Sequence, residues 1–141
     1  MLPVTGLAEC DPDDPRFVAA LAAAALPACG RVGRCYALTD GSGFGMIEGE
    51  GADRLLRSVV VPASRRGTGA GTRLVDLLVR QAAESGAEHM WLLTTTAADF
   101  FVRMGWTIVP RDAAPAVIRA SDQFTSLCPS TATLMMRDLA G

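Results

Sequence analysis

The sequence predicts an α/β (α+β) fold, a mixed sheet of about seven strands flanked by helices. Three observations predict it. From Cys35 to Val61, three short apolar runs are separated by glycine-rich turns, the pattern of an antiparallel meander. An amphipathic helical pattern then runs from Gly69 to about Ser85. Beyond it, strand-like and helix-like segments alternate to the end of the chain.

Taken in order, Leu2 to Ala8 reads as a short first strand. Pro15 to Ala25 reads as a helix, N-capped by Asp14, with Pro15 at its first position and Pro27 beyond its end. Cys35 to Thr39 is a strand, Asp40-Gly41-Ser42-Gly43 a turn, and Phe44 to Glu48 the next strand. Gly49-Glu50-Gly51 turns into Leu55 to Val61. There the β-branched run Val59-Val60-Val61 predicts a strand buried on both faces. In the long helix, Leu74, Leu77, Leu78 and Ala82 recur at i, i+3, i+4 and i+8, and Gly86 ends it. Met90 to Thr94, Trp106 to Val109 and Thr131 to Arg137 complete the strands. Ala97 to Met104 is a short helix stopped by Gly105, and Ala113 to Ala120 a further helix with Pro115 in its first turn.

The chain has 141 residues, half of them hydrophobic, enough for one domain over 1–141 that buries a core without disulfides or metal. All 13 basic residues are Arg, and there is neither Lys nor Asn. That excludes Schiff-base chemistry, a P-loop lysine and N-linked glycosylation. A net charge of −2 argues against nucleic acid as the ligand. No apolar run reaches the ~20 residues that span a bilayer. Leu26-Pro27-Ala28-Cys29 faintly resembles a lipoprotein cleavage site, but the acidic segment from Asp11 to Asp14 before it lacks the positive n-region of a signal peptide. Cys10, Cys29, Cys35 and Cys128 form no CxxC pair, and His89 lies near none of them, so no metal site is expected. A soft-metal or arsenic site built from three cysteines has no support in their spacing. Reduced thiols and a cytoplasmic location are the expectation.

The most informative segment is Val59-Val60-Val61-Pro62-Ala63-Ser64-Arg65-Arg66-Gly67-Thr68-Gly69-Ala70-Gly71-Thr72-Arg73-Leu74. A strand runs into a turn with three glycines at alternate positions, and the turn opens a helix. Uncovered backbone N–H groups and the positive helix N-terminus form a cradle suited to a pyrophosphate. Thr72 offers a hydroxyl, and Arg65 or Arg66 a charged clamp. A glycine-rich turn with no ligand is the alternative. The context is not that of a dinucleotide-binding Rossmann unit, because three strands precede the loop instead of one.

Arg66-x-x-Gly69-x-Gly71, after a strand ending Val60-Val61-Pro62, resembles the R/Q-x-x-G-x-G/A signature of the GNAT acyl-coenzyme A N-acetyltransferases. Ala98-Asp99-Phe100-Phe101-Val102-Arg103-Met104-Gly105-Trp106 resembles the A-x-F-Y-x-x-x-G-F segment of that superfamily. Four further segments are similar to its arsenic-resistance-associated branch: Leu55-Leu56-Arg57-Ser58; Leu92-Leu93-Thr94-Thr95-Thr96; Arg111-Asp112-Ala113-Ala114-Pro115 with Ile118-Arg119; and Ser126-Leu127-Cys128-Pro129.

The resemblance implies a GNAT fold and acetyl-coenzyme A as cosubstrate, bound where two central strands splay apart. The backbone of Val59, Val60 and Val61 would pair with the pantetheine arm, and the N–H groups of Arg66, Gly67, Thr68, Gly69, Ala70, Gly71 and Thr72 would hold the pyrophosphate. The acceptor implied is a small amino-acid-like amine, with a link to arsenic detoxification, in a monomer or homodimer with no nucleic-acid or membrane partner. The base expected is Glu48, ten residues before Ser58 as in the branch pattern, acting through water; a solvated hairpin carboxylate is the alternative. Arg57, Arg111 and Arg119 are candidates for gripping a substrate anion, with surface salt bridging as the alternative. Cys128 is a candidate near the substrate if the C-terminal segment folds over the cleft. The general acid is unassigned, because Phe101 stands where the family usually has Tyr. That departure keeps open a second reading, a coenzyme-binding module with weak or no catalysis.

Overall fold

The computed structural model describes residues 4–24, 33–121, 124–125 and 131–139. Its elements are β1 (Leu7–Cys10), α1 (Pro15–Ala23), β2 (Arg34–Leu38), β3 (Phe44–Glu48), β4 (Asp53–Val60), α2 (Ala70–Glu84), β5 (His89–Thr94), α3 (Ala98–Arg103), β6 (Thr107–Val109), α4 (Ala116–Arg119) and β7 (Thr133–Asp138). The seven strands form one sheet in the order β1-β2-β3-β4-β5-β7-β6. Among the described residues only β4 and β5 pair in parallel, and the other pairings are antiparallel.

Strand periodicity sorts the core between the two faces. Leu56 and Ile47 point to one face and pack with Leu74, Leu77 and Leu78 of α2. On the other face, Met46 and Val60 pack with Phe17 and Leu21 of α1, and Leu55 packs with Ile118 of α4. The predicted stripe on α2 is buried as its spacing required. Both α2 and α3 end in a Schellman closure. Gly86 and Gly105 take φ of 96° and 92°, and the N–H groups of Ala87 and Trp106 reach back to the carbonyls of Ala82 and Phe101. At α1, the Asp14 carboxylate accepts from the Arg16 N–H, as the capping signal predicted.

Three expectations are corrected. The first strand was expected over Leu2 to Ala8, but it is Leu7–Cys10. Gly6 turns at φ 91° and the Leu7 N–H bonds the Val4 carbonyl, so residues 4–6 form a turn; Leu2 and Pro3 lie outside the described residues. The helix expected over Ala113 to Ala120 is only Ala116–Arg119. Pro115 starts it, and Arg111–Ala113 forms a separate 3-10 turn. Val59-Val60-Val61 is not buried on both faces: Val60 is buried, its neighbours are half-buried, and Val61 lies beyond the strand end.

One buried cation fixes the β3–β4 connection. Arg54 donates from Nε to the Gly51 carbonyl (2.7 Å) and from Nη2 to those of Glu50 (2.9 Å) and Ser85 (3.0 Å). It ties the turn to the C-terminal end of α2, where carbonyls carry the negative end of the helix dipole.

Candidate active site

The site begins where the parallel pairing stops. β4 and β5 are in register only over Asp53–His89, Arg54–Met90 and Leu55–Trp91. Past Leu55 the two strands part, while β5 stays paired with β7 as far as Thr94. The second half of β4 therefore faces a gap, and an extended ligand can occupy it as an added strand. A bulge in β4 helps to open the gap. Between the pairs Met46–Arg57 and Phe44–Val60, β4 contains one residue more than β3. Ser58 there adopts φ 56°, the single non-glycine residue with positive φ among those described. A bulge of this kind bends its strand and re-aims the backbone groups beside it.

The gap leads to the glycine loop. Pro62 starts a 3-10 turn over Ala63–Arg65, and the Thr68 hydroxyl bonds the Arg65 carbonyl at 2.5 Å. Gly67 and Gly69 take φ of 79° and 82°, left-handed conformations that favour glycine. Gly69 is the N-cap of α2 and supplies no capping side chain. The first intrahelical bond comes from the Arg73 N–H (3.1 Å), so the N–H groups of Ala70, Gly71 and Thr72 are available to an anion. A cavity of about 270 Å³ lies over them, walled by Val61, Arg65, Arg66, Thr72 and Phe100. Arg66 is anchored by its Nε to the Val61 carbonyl at 3.3 Å. β4 ends at Val60, and the next residue, Val61, already lines the cavity over the helix N-terminus.

Glu48 and Arg57 lie on β3 and β4 beside this gap, on the sheet face covered by α1 and α4. Arg57 Nη1 donates to Glu48 Oε1 at 3.0 Å, with side-chain exposures of 1% and 17%. Arg57 Nε is buried with no hydrogen-bond partner among the described residues. Glu48 is therefore not a solvated hairpin carboxylate. Its charge holds Arg57, and in return Arg57 fixes the orientation of its carboxylate. Of Arg57, a candidate for gripping a substrate anion, Nη1 is engaged by Glu48.

The other two arginines stand apart from this pair. Arg119 is exposed and donates to the Asp112 carbonyl at 2.5 Å, closing the turn before α4. Arg111 bonds the Ala132 carbonyl, contacts that of Phe124, and stacks over the Phe124 ring at 4.4 Å, which braces the chain there. Cys128, with the Ser126 to Pro129 segment, lies outside the described residues, as does Cys29.

Neither aromatic residue of α3 can supply a proton. Phe101, at the position that resembles the family's Tyr, is buried edge-on against Phe100 and Trp106. Phe100 is the ring that reaches the cradle: a Cβ built on Gly71 would stand 3.8 Å from it. Sequence reasoning missed Phe100, although it sits beside Phe101 in the same motif. Tyr36 is on the α2 face, opposite to Glu48, in a separate cavity of about 480 Å³. Burial, and then the nearby Glu9 charge, push its hydroxyl above the usual tyrosine range. Trp106 is core. His89 contacts Asp53, which also accepts from Trp91 Nε1, at the closed end of the β4–β5 pairing. Among the described residues, no group of three His, Cys, Asp or Glu side chains could hold a metal, and no helix is long and apolar enough to cross a membrane.

The family model that describes the acetyltransferase (GNAT) family matches residues 6–106. The chain belongs to that family. Solved structures of similar fold agree. Rv2747 from Mycobacterium tuberculosis, in complex with CoA, superposes with a TM-score of 0.76 at 18% identity, over 94% of this chain and 98% of that one. An acyl-CoA N-acyltransferase from Klebsiella pneumoniae, described as putative, gives 0.72 at 20% identity, over 94% and 96%. The N-acetylglutamate synthase of Neisseria gonorrhoeae, with coenzyme A and N-acetyl-glutamate, gives 0.74 at 16% identity; 94% of this chain matches 35% of the synthase, so the chain spans about a third of its length. In a GNAT acetyltransferase the cosubstrate is acetyl-coenzyme A, and no metal is required. A groove of backbone N–H groups with arginine at its rim suits that coenzyme's pyrophosphate, and it does so without the lysine this chain lacks.

Proposed function

We propose that the protein transfers the acetyl group of acetyl-coenzyme A to the amine of a small amino-acid-like substrate. The observation that carries this reading is the parting of β4 and β5 past Leu55, continuous with the glycine cradle at the N-terminus of α2. Val59, Val60 and Val61 would pair with the pantetheine arm, and residues Arg66 to Thr72 would hold the pyrophosphate. The acetyl thioester supplies the electrophile. The acceptor must lose a proton, because an ammonium has no lone pair. Glu48 would take that proton through water, with Arg57 orienting its carboxylate. A backbone N–H of β4 would meet the oxyanion, and the bulge at Ser58 frees such groups from pairing with β3. The thiolate, with a pKa near ~8.5, can leave without a dedicated acid.

The Arg57 Nε–H, buried beside the gap without a partner, favours an acceptor that carries an anionic group. Arg119 is a candidate on the acceptor side, and Cys128 is one if the C-terminal segment folds over the cleft. The segments similar to the arsenic-resistance-associated branch support an organoarsenical amino acid or a related metabolite as the acceptor. One observation favours a second reading, a coenzyme-binding module of little activity: α3 presents Phe100 and Phe101 and no hydroxyl. Thiol release from acetyl-coenzyme A, assayed with a panel of amino acids and arsenical analogues, separates the two. Turnover with any of these amines supports the enzyme, and tight coenzyme binding without turnover supports the module.

A further inference from the structure

Far from the glycine loop, the register of the sheet juxtaposes two cysteines. Cys10 ends β1, the edge strand, and stands directly opposite Cys35 on β2. Opposed residues on antiparallel strands share a face, and their Cα atoms lie about 4.5–5.5 Å apart, within the range a disulfide spans. Cys35 is buried under α1 with Phe17 and Leu21, and Cys10 packs at the margin of the same cluster. The register continues across the sheet. Cys35 is opposite Met46, and Met46 is opposite Arg57. The two thiols therefore share a cross-sheet row, and a face, with Arg57.

We propose that Cys10 and Cys35 are a modification site: a dithiol that closes reversibly to a disulfide by exchange with a small oxidised thiol such as oxidised glutathione. Cys10 is the more exposed of the two and attacks first. Its thiolate displaces one glutathione thiolate from the glutathione disulfide and forms a mixed disulfide. Cys35 then loses its proton, attacks the Cys10 sulfur and releases the second glutathione thiolate. Two cysteine thiols are oxidised and one disulfide is reduced to two thiols, so the electrons balance. Cross-strand Cβ atoms sit about 4.5–5.5 Å apart, wider than the ~3.8 Å mean of a relaxed disulfide. Closure therefore strains the strand pair and keeps the bond easily reduced. The closed bond would clamp the edge strand to the sheet across the chain segment that contains α1.

Peptide mapping of the full chain tests this. The protein is treated with oxidised glutathione, alkylated and digested without reductant. The expected product is a Cys10–Cys35 linked peptide pair that dithiothreitol separates and that persists in Cys29→Ser. In Cys35→Ser, the reaction should stop with one glutathione on Cys10. Recovery of Cys10 and Cys35 as alkylated thiols, or a link from either one to Cys29 or Cys128, overturns the proposal. The wild-type map decides the matter even if a variant fails to fold.

Discussion

Arg57 Nη1 donates to Glu48 Oε1 at 3.0 Å, joining a fully buried guanidinium to a carboxylate that keeps slight contact with water. The pair spans the β3–β4 ladder beside the gap that would take the thioester. Removing either partner has a distinct consequence. Glu48→Gln keeps an acceptor oxygen for Arg57 but removes the charge that compensates its buried guanidinium, so stability should fall as well, and the effect on rate is read on the folded fraction. If Glu48 is the base, kcat falls ~10²–10⁴-fold and the pH–rate profile changes. A variant with unaltered kcat and profile would leave Glu48 a purely structural role.

Arg57→Met leaves Glu48 without its cation and fills the site with an apolar chain. Breaking a buried pair costs ~3–5 kcal/mol, and the partial exposure of Glu48 places the expected loss near the lower end. Urea unfolding measures it. A loss below ~1 kcal/mol would mean that the pair behaves like a surface ion pair.

Gly71 gives a cleaner probe of the cradle than Gly69. Gly69 sits at φ 82°, so any side chain there is strained as well as obstructive. Gly71 lies in the first turn of α2 with an ordinary φ. A Cβ built on it meets Phe100 and Val61 at 3.8 Å, an ordinary contact. Gly71→Val should keep the melting temperature near wild type while weakening coenzyme binding at least tenfold by calorimetry. Retained affinity would mean that the coenzyme does not cross the N-terminus of α2.

Phe101→Tyr restores the residue that the motif resemblance leads one to expect, but in a buried setting between Phe100 and Trp106. A buried hydroxyl left without a partner costs ~1–3 kcal/mol. The variant should be less stable and no faster. An increase in kcat would show that position 101 reaches the leaving thiolate.

Asp14 links local structure to pH. The Arg16 side chain, and then its backbone N–H, hold the Asp14 carboxyl below its ordinary value of 3.8. A depressed folded-state pKa contributes stability that is fully present above the unfolded value and is lost as pH falls through the folded one. Acidification below the ordinary carboxylate range should therefore loosen α1. Asp14→Asn, which still accepts a capping bond, should flatten that part of the stability curve in urea titrations at successive pH values.

These residues also mark what the chain reveals when read as letters. Phe44–Glu48 was legible to the residue, because turn-forming glycines bracket it on both sides. The α2 stripe and the Gly86 and Gly105 stops were legible for the same local reason. The bulge at Ser58 was not, because a bulge exists only relative to a partner strand. The Glu48–Arg57 bond depends on the same register: both residues were candidates, but their mutual engagement takes two strands to see. Phe100 and Phe101 are adjacent in sequence, and only the orientation of α3 assigns one to the cradle and the other to the core. The run Val59 to Val61 carried a buried-strand composition. The divergence of β5 overrode it by removing the neighbour that would have covered it.

The most direct test of the account is a steady-state assay of free thiol released from acetyl-coenzyme A by the wild-type protein and by Gly71→Val, each with a panel of amino acids and arsenical amines. The account predicts amine-dependent release by the wild type with at least one acceptor bearing an anionic group, and its loss in Gly71→Val. Release that needs no amine, no release with any amine despite tight coenzyme binding, or equal rates in the two proteins would contradict it.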